Sequence, residues 1–450
     1  MVYSLDIRGT YKLTGLEKHS CSKLLVLIFF MSSSLLLSNL NFCAASSTSV
    51  DLLFGGDLDE TVAGIIQTDD DGYVIAGTTY SFGEGDGDFW LIKLDPKGIM
   101  KWNFTYGGPK EDNAKSIIQT NDEGFAIVGK TDSFGTGNSN YWLVKVDSNG
   151  NMQWNHTYGQ TISEANSVIQ TDDNGYLLVG FEIDDSNSSV LIIKTDPFGN
   201  MQWNRTYEDN IYSKNVYSVV QSSDGGYLFA GAINAYSQDI SSDGWIVKIN
   251  SEGIIQWNQT YDLEGGFEYI NSLIQMNNGG YTFSGTTGGF FLRDVWIVNT
   301  DNDGNIIWDT VWDTAEPAYT NGVIQTNDGG YIVTGATDSR DGYFSSYMYM
   351  VKLDSNGNIQ WNSTYSGLGD NKALFAIQMK DDNYALAGTT RVKNEEAKYD
   401  IWFAIANPSG KQIPEFKPWS ILELGILSVI IVSISFRYQI NKEKKKSKVY

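Results

Sequence analysis

One internal repeat constrains this chain more than any other feature. A Gln is followed six residues later by an aromatic residue and four after that by Gly, and the triplet recurs seven times. The copies are Gln67, Tyr73, Gly77; Gln119, Phe125, Gly129; Gln170, Tyr176, Gly180; Gln221, Tyr227, Gly231; Gln275, Tyr281, Gly285; Gln325, Tyr331, Gly335; and Gln378, Tyr384, Gly388. Successive copies lie 50 to 54 residues apart. That is the period of a unit that buries its apolar faces only by stacking on its neighbours.

Each unit reads as two hairpins. Between Gln and aromatic stands an acidic turn such as Asp70-Asp71-Gly72 or Asp328-Gly329-Gly330, where Gly is expected to supply positive φ. The last unit has Asn383 there, the next most tolerant residue. Farther on, alternating apolar positions flank an Asp-x-x-Gly turn, as around Asp147 to Gly150. Four strands result, exemplified by Ser116 to Thr120 (A), Tyr73 to Thr78 (B), Trp90 to Leu94 (C) and Met100 to Tyr106 (D). The pattern predicts an all-β, seven-bladed propeller of four-stranded antiparallel blades over residues 46–410, a linear solenoid being the competing arrangement. Closure is favoured by the ends. After Ile401 to Ala406 the last unit lacks a D strand, and the orphan segment Val50 to Gly56 has the character of one, leaving no unpaired edge once the two combine.

The ends of the chain have a different composition. Lys18 and Lys23 precede the apolar run Leu24 to Leu37, followed by Cys43, Ala44, Ala45 and Ser46, the outline of a secretory signal over residues 1–45. A lipobox ending at Cys43 fits less well, because Phe42 fills a position that wants a small residue. A short spacer, residues 411–418, leads to Trp419 to Phe436, about 18 nearly all apolar residues, or roughly 27 Å of helix. The expectation is a transmembrane helix over residues 419–438 and, from Lys442, Lys444, Lys445, Lys446 and Lys448, a basic cytoplasmic tail over 439–450. The body is then outside the cell, anchored by a single pass.

Of 31 basic and 54 acidic residues in the whole chain, 20 and 50 fall within residues 46–416, a net charge of −30. A surface so acidic repels nucleic acid and anionic lipid. Both cysteines, Cys21 and Cys43, precede the expected mature start, which leaves no thiol for a disulfide, a zinc site or nucleophilic catalysis.

Catalytic constellations are scarce. His156 is the only histidine of the body, so His-dependent triads and multi-histidine metal sites are disfavoured. Most carboxylates sit in repeated turns, where Asp caps backbone N–H groups. Asp301-Asn302-Asp303-Gly304 begins like a calcium loop, but Trp312 stands where the closing Glu belongs. No metal ligand and no cofactor site are assigned. Six sequons, at Asn103, Asn155, Asn187, Asn204, Asn258 and Asn362, are candidate N-glycosylation sites, five of them at one repeat position.

Leu94-Asp95-Pro96-Lys97-Gly98-Ile99-Met100-Lys101-Trp102 and the copies ending at Trp154, Trp203, Trp257, Trp308 and Trp361 resemble the tryptophan-docking repeat of pyrroloquinoline-quinone-type propellers, with a turn one residue shorter. With the Gly-Tyr-x-x-x-Gly-x-Thr strand they are closer to propeller repeats of exported prokaryotic proteins. The resemblance implies the fold and structural docking by these tryptophans. It does not carry a quinone cofactor here, since the vicinal cysteine pair common in such enzymes is absent. Pro414-Glu415-Phe416 before the apolar span is similar to sorting signals of archaeal surface proteins.

The sequence therefore points to a non-catalytic cell-surface propeller that recognises an extracellular protein or glycan or forms part of the envelope. The alternative is an extracellular polysaccharide-degrading enzyme on the same fold. Recognition is expected on the face carrying the B-to-C and D-to-A loops, which vary in length and bear Tyr80, Phe82, Phe134, Tyr236, Tyr343 and Phe344.

Overall fold

Alternation of apolar and polar residues on both sides of each turn leaves the chain one way to bury its apolar positions: hairpins that pack face to face. In the computed structural model the seven units form seven four-stranded antiparallel sheets. The structure describes residues 52–412 apart from 137, 185–186, 208–211, 236–240, 264–265, 278, 290–292, 315, 338–345, 366–369 and 392–397. The expected signal segment, the apolar span and basic tail, and the loop residues Tyr236, Tyr343 and Phe344 lie outside the described residues. No helix among the described residues is long and apolar enough to cross a membrane.

The first strand of each sheet neighbours the first strand of the next, and the seventh neighbours the first, so the blades close into a ring. The core lies between blades. One cluster joins Val74, Phe89 and Leu91 of the first blade to Ile117, Phe125, Trp142 and Val144 of the second. The closing blade is built from both ends of the chain, with Leu52–Phe54 as the outer strand of the sheet that contains Tyr399–Ala406. Its register is Leu52↔Phe403, Leu53↔Trp402 and Phe54↔Ile401.

The innermost strands begin earlier than the sequence pattern suggests. The second blade's A strand is Asp112–Gln119, not Ser116 to Thr120, and a register shift falls between Ala114 and Ser116. A bulge of this kind breaks the two-residue period and hides the first half of the strand from pattern reading. It also explains the repeated Gly. The carbonyl ahead of the bulge points into the space a Cβ would fill: 1.9 Å from one built on Gly77 (Thr61 O), 1.8 Å at Gly231 (Asn215 O) and 2.0 Å at Gly285 (Tyr269 O).

The acidic turn differs from expectation in the same way. In several of these turns positive φ belongs to the preceding residue, as at Asp71 (58°), Glu123 (64°), Asn174 (62°) and Asp382 (63°), not to Gly72, whereas Gly329 (80°) and Gly280 (76°) supply it as expected. Gly72 is required by close approach, since a Cβ there would lie 2.4 Å from Leu94 O and 2.7 Å from Lys93 Nζ. That lysine recurs. Lys145, Lys194, Lys248 and Lys352 are buried on their C strands, each paired to a turn aspartate at 2.5 to 2.9 Å. Partial burial pushes Asp70 and Asp328 upward, but hydrogen bonds from the lysine and from Thr68 or Thr326 outweigh it and hold both at about 2. In the last blade Ile405 stands at the lysine's register position, and Asn383 replaces the Gly.

Blades dock through the D strand. Tyr158 Oη donates to Gly199 O at 2.5 Å and Tyr261 Oη to Gly304 O at 2.7 Å, in each case the turn glycine of the next blade. The docking tryptophans lie on the same glycines, with a Cβ on Gly304 only 3.1 Å from Trp257 and one on Gly357 only 2.5 Å from Trp308. All six, Trp102, Trp154, Trp203, Trp257, Trp308 and Trp361, are half-buried. The fully covered indoles are those of the C strands, with Trp142 and Trp296 each 1 % exposed. Trp142→Ala is therefore expected to cost about 3–5 kcal/mol, and Trp257→Ala about half as much. Urea denaturation of the two variants measures the difference, and a larger loss for Trp257→Ala would reverse the assignment.

Candidate functional site

A propeller's innermost strands surround its axis, and here they enclose a cavity of about 490 Å³ to which all seven contribute. In six blades the bulged residue lies on its wall: Ala63, Lys115, Asn166, Tyr217, Asn271 and Asn321. Each is followed by a small residue, Gly64, Ser116, Ser167, Ser218, Ser272 or Gly322. The small residues are structural. Ser218 Oγ accepts from Leu273 N at 3.1 Å and Ser272 Oγ from Val323 N at 3.2 Å, stitching neighbouring blades together. In the seventh blade the bulge moves to Lys372, and Phe375 lines the cavity instead.

The wall is rich in polar groups. Asn166 Nδ2 donates to Val216 O at 2.7 Å, and Asn271 Oδ1 accepts from Thr320 Oγ1 at 3.2 Å. Asn321 Oδ1 is buried without a hydrogen-bond partner. Lys115 pairs with Glu164 at 2.8 Å, and burial pushes the Tyr217 phenol up to about 12. No carboxylate belongs to the lining among the described residues.

Carboxylates gather elsewhere, between blades at the end of the ring that carries the B-to-C loops. The residue that opens an A strand, or stands just ahead of it as Glu268 does, meets the start of the preceding blade's C strand, which pairs Glu60 with Asp400, Asp112 with Asp88, and Glu268 with Asp243. Glu60, Asp112 and Glu268 are 0 % exposed. Burial raises Glu60 to about 7 against hydrogen bonds from Ser81 and Thr79, with the Asp400 charge adding to the rise. Burial likewise raises Asp88 and Asp400. Pattern reading missed these pairs, because their members belong to different units.

The other residues singled out in the sequence have structural partners. Asn103, Asn155, Asn204, Asn258 and Asn362 are exposed on outermost strands, and Asn187 opens the strand Asn187–Thr195. Asn103 Oδ1 accepts from Trp90 Nε1, and Asn155 Oδ1 from Trp142 Nε1, both at 3.2 Å. The Trp-Asn repeat thus has a packing reason, and the amide nitrogen donates only to a methionine sulfur, Asn103 Nδ2 to Met100 Sδ and Asn155 Nδ2 to Met152 Sδ, both at 3.3 Å. His156 Nε2 lies 3.0 Å from Phe198 O on an exposed strand. Asp301 Oδ1 accepts from Asp303 N and Asn305 N at 2.9 Å, the cap found in the other C-to-D turns. Phe82 and Phe134 are 45 % and 40 % exposed and lean on Trp90 and Trp142, with centroids 5.5 and 5.4 Å apart. Tyr80 donates to Glu111 Oε1 at 3.1 Å.

No protein-family model and no curated protein matches the chain. Solved structures do. An ulvan lyase of polysaccharide lyase family PL25, bound to -[GlcA(1-4)Rha3S]-, superposes with a TM-score of 0.53 at 10 % identity over 81 % of this chain and 98 % of its own. The polysaccharide lyase Uly1 gives 0.49 at 8 % identity, covering 79 % and 91 %. A protein of unknown function from Dyadobacter fermentans gives 0.46 at 9 % identity, covering 79 % and 98 %. At such identities the likeness extends to the fold alone.

Proposed function

We propose that this protein is a non-catalytic cell-surface propeller that binds a glycan outside the cell at the axial cavity and its mouth. The observation that carries the reading is the bulge position. Six blades place Ala63, Lys115, Asn166, Tyr217, Asn271 and Asn321 there, while the next residue stays Gly or Ser throughout. Side-chain amides, a phenol and an ammonium around one cavity offer the mixed donors and acceptors and the aromatic face that a hydroxyl-rich ligand needs. The enzymatic alternative calls for two carboxyl groups flanking a scissile bond. The paired carboxyls here include Glu60 and Asp112, which no substrate reaches without parting the blades. Export through the N-terminal signal, anchorage by the C-terminal span and glycans on the outermost strands complete the proposal. The acidic body, −30 over residues 46–416, supports partners other than nucleic acid.

The test is a glycan array probed with the full chain beside Asn321→Ala and Tyr217→Phe. Each variant is expected to weaken binding about tenfold at unchanged melting temperature, the loss of one hydrogen bond at a desolvated site. Cleavage of any arrayed polysaccharide, or binding indifferent to both substitutions, would overturn the reading.

A further inference from the structure

The junction between the fourth and fifth blades departs from the two others that hold a buried acid pair, those of Glu60 with Asp400 and of Asp112 with Asp88. After the D-strand Tyr the chain has Gly107 at one acid pair and, after Phe54, Gly55 at another. Neither position has room for a side chain. A Cβ on Gly107 would lie 1.6 Å from Asp88 Oδ1 and 2.9 Å from Asp112 Oδ2, and one on Gly55 would lie 2.0 Å from Asp400 Oδ1 and 2.6 Å from Glu60 Oε2. At the fourth junction the residue after Tyr261 is Asp262. A third carboxylate thus joins the Asp243–Glu268 pair, and the three offer oxygens that all lie within 4.8 Å of one another.

A second observation is independent of that clustering. Glu268 is 0 % exposed, and only one of its oxygens is satisfied, Oε1 accepting from Thr287 Oγ1 at 2.7 Å. Oε2 is buried with no hydrogen-bond partner. A buried carboxylate oxygen without a donor costs free energy that a bound cation would recover. Asp243 is half-buried and Asp262 exposed, so the cluster opens to solvent on one side, where water can complete a coordination shell.

We propose that Asp243, Asp262 and Glu268 bind a hard divalent cation, calcium foremost, which ties the fourth blade to the fifth. The donor set is all oxygen, from three carboxylates without nitrogen or sulfur, and suits calcium or magnesium over zinc or copper. Calcium is favoured because it accepts irregular shells at 2.3–2.6 Å, whereas magnesium requires a near-ideal octahedron. Glu60 and Asp400 can share a proton between them, whereas a third carboxylate at the Asp243–Glu268 junction adds repulsion that a cation would relieve. Burial is the main force raising Glu268, and the Asp262 and Asp243 charges add to it. Nothing in the linear repeat signals this site, since it depends on which Gly-equivalent position is replaced and on what the ring brings beside it.

The experiment follows thermal unfolding and calorimetric titration of the full chain, freed of metal with chelator and then given calcium or magnesium. A hundredfold excess over Kd is expected to raise the melting temperature by roughly 4 °C for a body of this size. Asp262→Asn, and Asp262→Gly, which places there the residue found at the Glu60–Asp400 and Asp112–Asp88 junctions, should lose most of that rise. Asp303→Asn, in an exposed turn, should keep it and control for general screening of the acidic surface. A rise with calcium only assigns calcium, and equal rises assign a generic hard-cation site. Absence of any rise in the parent chain, or a rise that persists in Asp262→Asn, would overturn the site. Should Asp262→Asn fold poorly, Asp243→Asn read by calorimetry decides between the same outcomes.

Discussion

A chain lacking residues 46–57 is expected to aggregate or to melt far below the parent. Leu52–Phe54 forms the outer strand of the closing blade, with Leu53 against one inter-blade core and Leu52 and Phe54 against another. Trp402 and Phe403, each 2 % exposed beneath this strand, would be uncovered by its loss. Three apolar side chains at roughly 1.5 kcal/mol each amount to about 5 kcal/mol, or ~7 °C for a body of this size. The consequence in solution is larger, because Tyr399–Ala406 then presents an unpaired edge to other molecules. Lys398 Nζ would also lose its bond to Gly56 O, and the bond from Tyr399 N to Asp59 Oδ1 would be left at a frayed chain end. Differential scanning calorimetry with light scattering measures both effects. An unchanged melting curve from a monodisperse sample would refute closure by this strand.

Stability should also peak near pH 4–5 and fall on both sides. On the alkaline side the native state holds protons that the unfolded chain has released, because Glu60 and Glu268 are each raised from 4.5 to about 7 by burial. Their protonated forms are compatible with the fold, so the loss begins above the unfolded value and is complete once pH passes the folded one. Each group is worth on the order of 3 kcal/mol over that interval. On the acid side the sign reverses. Asp70 and Asp328, lowered from 3.8 to about 2 by Lys93 and Lys352 and neighbouring hydroxyls despite partial burial, contribute stability that disappears as pH drops through the folded value. Urea midpoints from pH 3 to 8 in chelator would trace the profile. Glu60→Gln should remove its share of the alkaline decline, and a decline left intact by that substitution would show that the junction pair does not titrate as its burial requires.

The triplet beginning at Gln67, Tyr73 and Gly77 is enough to count the blades and to place three of the four strands in each, because hairpin turns and two-residue alternation are local properties. The A strands are only half visible. The bulge at Lys115, like that at Asn271, shifts the alternation in mid-strand, so Asp112 and Asn113 read as loop although they pair with Thr131 and Lys130. The repeated Gly is plain in the sequence and its reason is not, since the carbonyl it must accommodate belongs to the neighbouring strand.

The candidate site divides along the same line. Composition disfavours multi-histidine chemistry, since His156 is the only histidine among the described residues, and the repeat places Trp257 and its counterparts at docking positions. It cannot show that Trp142, not Trp257, is the covered indole, nor that Tyr217, Asn271 and Asn321 share one cavity. Nor can it bring Glu60 beside Asp400 across nearly the whole chain, or set Asp262 against Asp243 and Glu268. The blade and its number can be read from the chain, because turn chemistry and alternation act over a few residues. Which polar groups lose their water and which charges meet depends on ring closure, which brings together residues from separate units and from both ends of the chain.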